Sequence, residues 1–168
     1  KHLRGDQSKM LSEEGNEYAL SALQFEEQRR VIYNGAVIGI FSSIEQIFYS
    51  FCFGAKREKN VDYEYTAMKG LGIGRAEKYL KEVLDLVVPS NPETRRLYDV
   101  VRIVRNAVVH ADGVIADESQ WDKLQDYIKN YPHDLELEDG SHIVRVTPMF
   151  LVSTLKLHSL ICEEIQKY

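Results

Sequence analysis

A chain of 168 residues with 44% apolar and 28% charged residues has the size of one domain with a real core and the composition of a soluble globular protein. Its formal net charge of −5 and pI of about 5.6 exclude a broad basic surface that grips nucleic acid non-specifically. They leave room for a small basic pocket, where the local field outweighs the total. The two cysteines, Cys52 and Cys162, sit in apolar helical patterns without a CxxC pair or zinc spacing, which reads as two buried free thiols in a reducing cytosol.

In chain order, residues 1–14 are polar and read as a flexible N-terminal segment, and residues 15–168 read as a single helical domain. From about Asn16 a long helical pattern runs through Leu20, Leu23, Val31, Val37, Phe41, Ile44, Phe48 and Phe51. Asn34-Gly35 either interrupts it or leaves Gly35 and Gly39 as close-packing points, because a helical glycine costs about 1 kcal/mol relative to alanine. The most apolar stretch, GAVIGIFSSIEQIFYSFCFG, is interrupted by Glu45 and Gln46. It is expected to fall short of a membrane span, which makes a cytoplasmic protein without a membrane partner the expectation. Glu45 either is exposed and locally paired or orients a basic side chain from a neighbouring helix.

Gly54 to Asn60 reads as a loop whose KREK run is solvated, and VDYEYTAM as a short helix. GLGIGR, Gly70 to Arg75, has the wrong spacing for a dinucleotide fingerprint. It bears some likeness to the glycine-rich hairpin of helix-hairpin-helix DNA binders, but reads best as a helix stop and restart. RAEKYLKEVLDLV is an amphipathic helix through Leu80, Val83, Leu84 and Val87. Asn91 as N-cap, with Pro92 and Glu93 behind it, opens the next helix, which runs to about Ala111. Asp117 to Gln120 opens a short helix with Trp121, Leu124 and Ile128 on one face. Alternation around Asp139-Gly140 predicts a hairpin. Thr147-Pro148 caps a final helix with Leu151, Leu155, His158, Cys162 and Ile165 along one side. The predicted fold is all-α: a bundle of about five to six helices with a small β-hairpin before the last.

The helix ending YDVVRIVRNAVVHADG concentrates the chemistry. Leu97, Val100, Val101, Val104, Ala107, Val108 and Ala111 share the side expected to face the core. Arg95, Tyr98, Asp99, Arg102, Arg105, Asn106, Val109 and His110 share the other. Tyr98 and Val109 among the charges suggest an interface or a cleft rather than a solvated face. Asn106 and His110, four apart, meet directly. Arg105 and His110, five apart, lie about 140° round a straight helix. They converge on one ligand only if the helix loosens at Asp112-Gly113 or a second copy supplies the partner. Arginine offers a rigid, permanently charged fork to phosphate oxygens, and histidine exchanges a proton near neutral pH. Together they suit attack of an RNA 2′-hydroxyl on its own phosphorus without a metal. Acid–base catalysis needs two proton handlers, so a homodimer is the mechanistic expectation.

The run RNAVVH, Arg105 to His110, resembles the signature of the HEPN domain family, an arginine followed by a polar residue and, four to six residues on, a histidine near a helix end. The resemblance covers about Asn16 to Gly113. It implies a metal-independent RNase without cofactor, dimeric so that two motifs form one cleft, in a toxin–antitoxin or antiviral system with an antitoxin or other regulatory protein. It implies catalytic roles for Arg105 and His110, with Asn106 the accompanying polar residue. Arg102 is then a secondary phosphate contact and Glu45 a candidate orienting residue. The tyrosine two residues after the histidine that one subgroup carries is replaced by Asp112. The alternative function is a non-catalytic HEPN-like module that binds a nucleotide or a protein, within a larger protein.

Overall fold

The computed structural model describes residues 3–59, 63–138 and 140–168, and for residues 3–16, 58 and 59 the backbone alone. Among the described residues there are five α-helices: α1 (Leu3–Lys59), α2 (Gly72–Val83), α3 (Pro92–Ala111), α4 (Glu118–Asn130) and α5 (Pro148–Ile165). A single 3-10 turn lies at Tyr65–Ala67, and the strands β1 (Leu135–Glu138) and β2 (Ile143–Val146) form an antiparallel pair before α5. The fold is all-α with one hairpin, as the sequence predicts.

α1 is the spine. It passes without a break through Asn34-Gly35, the continuous one of the two readings left open there, and through Gly54 to Lys59, which corrects the loop expected from Gly54. Local glycine preference at Gly54 is overridden by packing: Val37, Phe41, Ile44, Phe48, Cys52 and Ala55 form one buried stripe at helical spacing past it. Lys56 then ties the last turns to Glu64. The backbone is helical from Leu3, across most of the segment expected to be flexible; residues 1 and 2 lie outside the described residues. Within Glu17–Arg57, α1 is long and apolar enough to cross a membrane by length and composition alone. Glu45 and Gln46 therefore do not disqualify it on that criterion, contrary to expectation, although a core helix of a soluble protein passes the same test.

Two helices flank the spine in opposite senses. Ser43 Oγ lies 3.0 Å from His158 Nε2, and Phe51 meets Tyr168 with ring centroids 6.1 Å apart, so α5 runs parallel to α1. Tyr98 stacks on Phe41 and Phe48 at 6.0 and 6.1 Å, and Arg30 pairs with Asp112, so α3 runs antiparallel. α5 lies against both helices and buries Phe150, Thr154, Leu157, Ile161 and Glu164. That stripe is one position away from the expected one, and Leu155 is 55% exposed. The expected stripe is the more apolar of the two, with Thr154 and Glu164 in the observed one, so periodicity favoured the wrong side.

α2 starts at Gly72. Gly70 and Gly72 take φ of 122° and 53°, left-handed values that glycine tolerates, and they make the predicted stop and restart. α2 ends at Val83, before the expected Val87. Asp85 enters the left-handed region (φ 56°) and the Leu86 N–H donates to the Leu80 carbonyl at 2.8 Å, closing the helix. In the hairpin, Glu138 pairs with Ile143, so four residues, 139–142, make the turn; Asp139 itself lies outside the described residues.

Candidate functional site

α3 starts where local chemistry dictates. The Asn91 side chain accepts from the Glu93 and Thr94 N–H groups at 2.9 and 3.1 Å, and Pro92 occupies the first turn. The helix stays regular to Ala111. Asp112 (φ 50°) and Gly113 (φ 90°) close it, both N–H groups reaching the Ala107 carbonyl. Gly113 has no room for a side chain: an added Cβ would lie 2.8 Å from the Val144 carbonyl oxygen. That close approach, with the Val144 N–H donating to Gly113 at 2.9 Å, fixes the C-terminal end of α3 against the hairpin. From the α1 side Arg30, itself bonded to Glu27, pairs with Asp112. The end that bears His110 is therefore held by two elements and does not loosen, contrary to one of the routes expected to bring Arg105 and His110 together.

The helix face expected to be polar divides in two. Its first half is turned into the protein. Tyr98, placed by sequence among the charges, is fully buried against α1, and its hydroxyl has no hydrogen-bond partner among the described residues. Burial pushes that hydroxyl's pKa well above the ordinary tyrosine value. The Arg95 and Arg102 guanidinium carbons sit 5.4 and 5.7 Å from its ring centroid. The same two arginines share Glu77 of α2, at 2.8 and 3.3 Å, and Arg102 also reaches Asp99 at 3.3 Å. Of the expected core side, Val100, Val101, Val104 and Ala107 are buried, Leu97 and Val108 are half-buried and Ala111 is exposed; Ile103, named on neither side, is buried too. The core arc is thus wider than expected and takes in Tyr98 on the side that α1 covers.

The second half exposes Asn106, Val109 and His110, while Arg105 lies deeper than Arg95 and Arg102. Arg105 donates from Nη1 to Asn106 Oδ1 at 3.1 Å, and its Nη2 lies 3.9 Å from Glu45 Oε2. Its Cζ is 5.9 Å from the Phe41 ring centroid. The side chain is 21% exposed, and Nε is buried without a partner among the described residues. Glu45 lies beside the first residue of α2, with Oε1 at 3.6 Å from where a Gly72 Cβ would stand. Asn106 and His110 are exposed, and Val109 is 40% exposed between them. His110 makes no hydrogen bond or ion pair among the described residues.

The structure thus brings Arg105, Asn106 and Glu45 together, leaves His110 free one turn further on, and draws Arg102 toward α2. Sequence reasoning missed Glu77 and Arg30. Glu77 lies 18 and 25 residues from its arginines and Arg30 lies 82 from Asp112, and no local spacing announces such pairs. Of the other histidines, His158 is half-buried between Ser43 and Cys162, at 3.0 and 3.8 Å, and His142 stacks on Trp121 with centroids 4.6 Å apart. What the open end offers chemically is one guanidinium steadied by an amide and a carboxylate, beside an imidazole free to take or give a proton. Comparisons of the chain with protein-family models, with curated proteins and with solved structures find no match.

Proposed function

We propose that the protein is a HEPN-type, metal-independent endoribonuclease, acting in the cytoplasm as a homodimer within a toxin or defence system and held in check by an antitoxin or other regulatory protein. The observation that carries this reading is the open end of α3, where Arg105 is steadied by Asn106 and Glu45 while His110 stands exposed and unengaged. Arg105 binds the non-bridging oxygens of the scissile phosphate and offsets the charge that builds there. His110 of one copy accepts the 2′-hydroxyl proton as that oxygen attacks phosphorus. The bond to the 5′-oxygen breaks, and protonated His110 of the second copy delivers a proton to the leaving alkoxide. The products are a 2′,3′-cyclic phosphate and a 5′-hydroxyl end. Asn106 orients the guanidinium, Glu45 positions it from α1, and Arg102 adds positive field one turn below.

The test is cleavage of a labelled RNA oligonucleotide by wild type, Arg105→Ala and His110→Ala, with an all-deoxy oligonucleotide as control. Both variants are expected to lose cleavage with helicity unchanged, the deoxy strand to resist, and EDTA to have no effect. Unchanged cleavage in both variants, or efficient cutting of DNA, overturns the reading. The second reading, a binding module without catalysis, draws support from Arg102, whose charge is already taken up by Glu77 and Asp99. Growth arrest on expression, relieved by His110→Ala, separates the two.

A further inference from the structure

The two cysteines, both expected to be buried thiols, differ in the structure. Cys52 is fully buried, its sulfur 3.8 Å from the Ala76 carbonyl oxygen of α2. Burial pushes its thiol pKa up to about 12, which makes it inert. Cys162 is half-buried and lies in a row with two side chains that can move a proton. His158 stands four residues before it on the same face of α5, with Nδ1 at 3.8 Å from Cys162 Sγ. From α1, Ser43 Oγ lies 3.0 Å from His158 Nε2. Among the described residues no third histidine, cysteine or carboxylate joins His158 and Cys162 to hold a metal. Ser43 also walls a groove of about 520 Å³, shared with Gln46, Ser50 and Ile165, so the row reaches the surface.

We propose that Cys162 is a peroxide-reactive thiol, with His158 as the base that takes its proton and Ser43 as the residue that positions that base. The role of each ring nitrogen is set by the bond the other makes. With the proton on Nε2, that N–H donates to Ser43 Oγ, and Nδ1 is left to accept the thiol proton. The sulfur attacks the hydrogen-bearing oxygen of a hydroperoxide. The S–O bond forms, the O–O bond breaks, and the imidazolium passes its proton to the leaving oxygen, giving water or an alcohol. Sulfur loses two electrons, the peroxide gains them, and the product is a sulfenic acid. Size selects this electrophile: a half-buried sulfur between two packed helices admits hydrogen peroxide more readily than a bulky disulfide.

The sulfenic acid has no thiol partner in its own chain. α5 runs parallel to α1, with His158 beside Ser43, so Cys162 is level with Ile47. Cys52 lies five residues further on, about 7.5 Å along the axis, across an interhelical gap of roughly 8–10 Å. A disulfide needs Cα atoms within about 7 Å. The oxidised form is therefore reversed by an external thiol. This inference uses neither Arg105 nor His110 and stands apart from the ribonuclease reading.

The experiment treats the full chain with hydrogen peroxide, traps sulfenic acid with dimedone and reads each cysteine separately by peptide mass spectrometry, with helicity by circular dichroism. Cys162 is expected to be trapped at least about tenfold faster in the folded protein than in the same chain in urea. Cys52 is expected to stay unmodified until the chain unfolds. Without the trap, dithiothreitol should return Cys162 to the thiol. His158→Gln and Ser43→Ala should each slow trapping about tenfold with helicity unchanged, and Ser43→Thr, which keeps the hydroxyl, should restore the rate. Folded Cys162 that reacts no faster than the unfolded chain overturns the inference, as does equal trapping of Cys52 or a His158→Gln protein that reacts as wild type. A Ser43→Ala protein at the wild-type rate overturns the role of Ser43. Should a variant lose helicity, the comparison of folded with urea-unfolded wild type decides by itself.

Discussion

Arg95 and Arg102, in the first three turns of α3, and Arg105, in the fourth, differ in what meets them. The first two converge on one carboxylate of α2, Glu77, across the ring of a buried tyrosine. Arg105 has a neighbouring amide at 3.1 Å and a carboxylate no nearer than 3.9 Å. One residue type on one helix thus meets two settings, because Glu77 of α2 reaches the first two arginines and not the third. Where a guanidinium pairs with a carboxylate of another helix within 3.3 Å it ties the two helices together. Where it is only steadied, it keeps hydrogen-bonding capacity for a ligand, and an unmatched arginine is the better marker of a site.

The sharpest way to break this contrast is at Tyr98. Tyr98→Ala removes a fully buried ring that stacks on Phe41 and Phe48 and should cost about 4 kcal/mol in urea unfolding. Tyr98→Phe keeps the ring and deletes an orphaned hydroxyl, so it should be neutral or stabilising by about 1 kcal/mol. A large loss in Tyr98→Phe would mean that the hydroxyl has a partner. Arginine deletions sharpen the contrast from the other side. Arg105→Ala should lower RNA cleavage by about 100-fold or more with little change in unfolding. Arg102→Ala should weaken cleavage less than tenfold and lower stability slightly, since its own guanidinium and Asp99 are more than a third exposed and solvent-screened. Equal activity losses in the two variants would erase the distinction.

What was legible in the sequence follows the same divide between local and distant causes. Asn91, Asp117 and Thr147 cap the helices they were expected to cap, because a cap is settled within three residues. The hairpin was legible from alternation. Tyr98 was misplaced because the residues that bury it lie 50 and 57 positions away on α1, and a helical wheel assigns it to the charged side. The loop expected from Gly54 failed for a related reason: glycine preference is local, and the buried stripe from Val37 to Ala55 outweighs it. In the candidate site, Arg105, Asn106 and His110 were legible as a motif and Glu45 as a charge out of place. The carboxylate of Glu77, which decides what Arg102 does, gave no signal.

The end of α3 can also be disturbed through its backbone. Gly113→Ala meets both a left-handed φ of 90° and a 2.8 Å approach to the Val144 carbonyl, and should cost on the order of 2–3 kcal/mol. Because this turn fixes His110, cleavage should fall beyond what unfolding explains, as measured at a temperature where the variant is still folded. Asn91→Ala, at the other end, should cost about 1 kcal/mol and leave cleavage per folded molecule unchanged. A loss of cleavage in Asn91→Ala matching that in Gly113→Ala would show that the two ends are not independent.

The smallest effect concerns the clamp between α1 and α3. The hydrogen bond from Arg30 holds the Glu27 carboxyl below its ordinary value of 4.5, with Asp112 opposing through its like charge. A carboxylate with a depressed folded pKa binds fewer protons in the folded state than in the unfolded one. Its contribution is therefore full above 4.5 and disappears as pH falls through the folded value. Glu27 is fully exposed, so the contribution is small and screened by salt. Below pH 4.5 the Tm of wild type should fall slightly more steeply than that of Glu27→Gln, and the two slopes should merge in high salt. A Glu27→Gln curve as steep as wild type at low salt would show that Arg30 is held by Asp112 alone, and that the clamp on the His110-bearing end does not depend on its neighbour on α1.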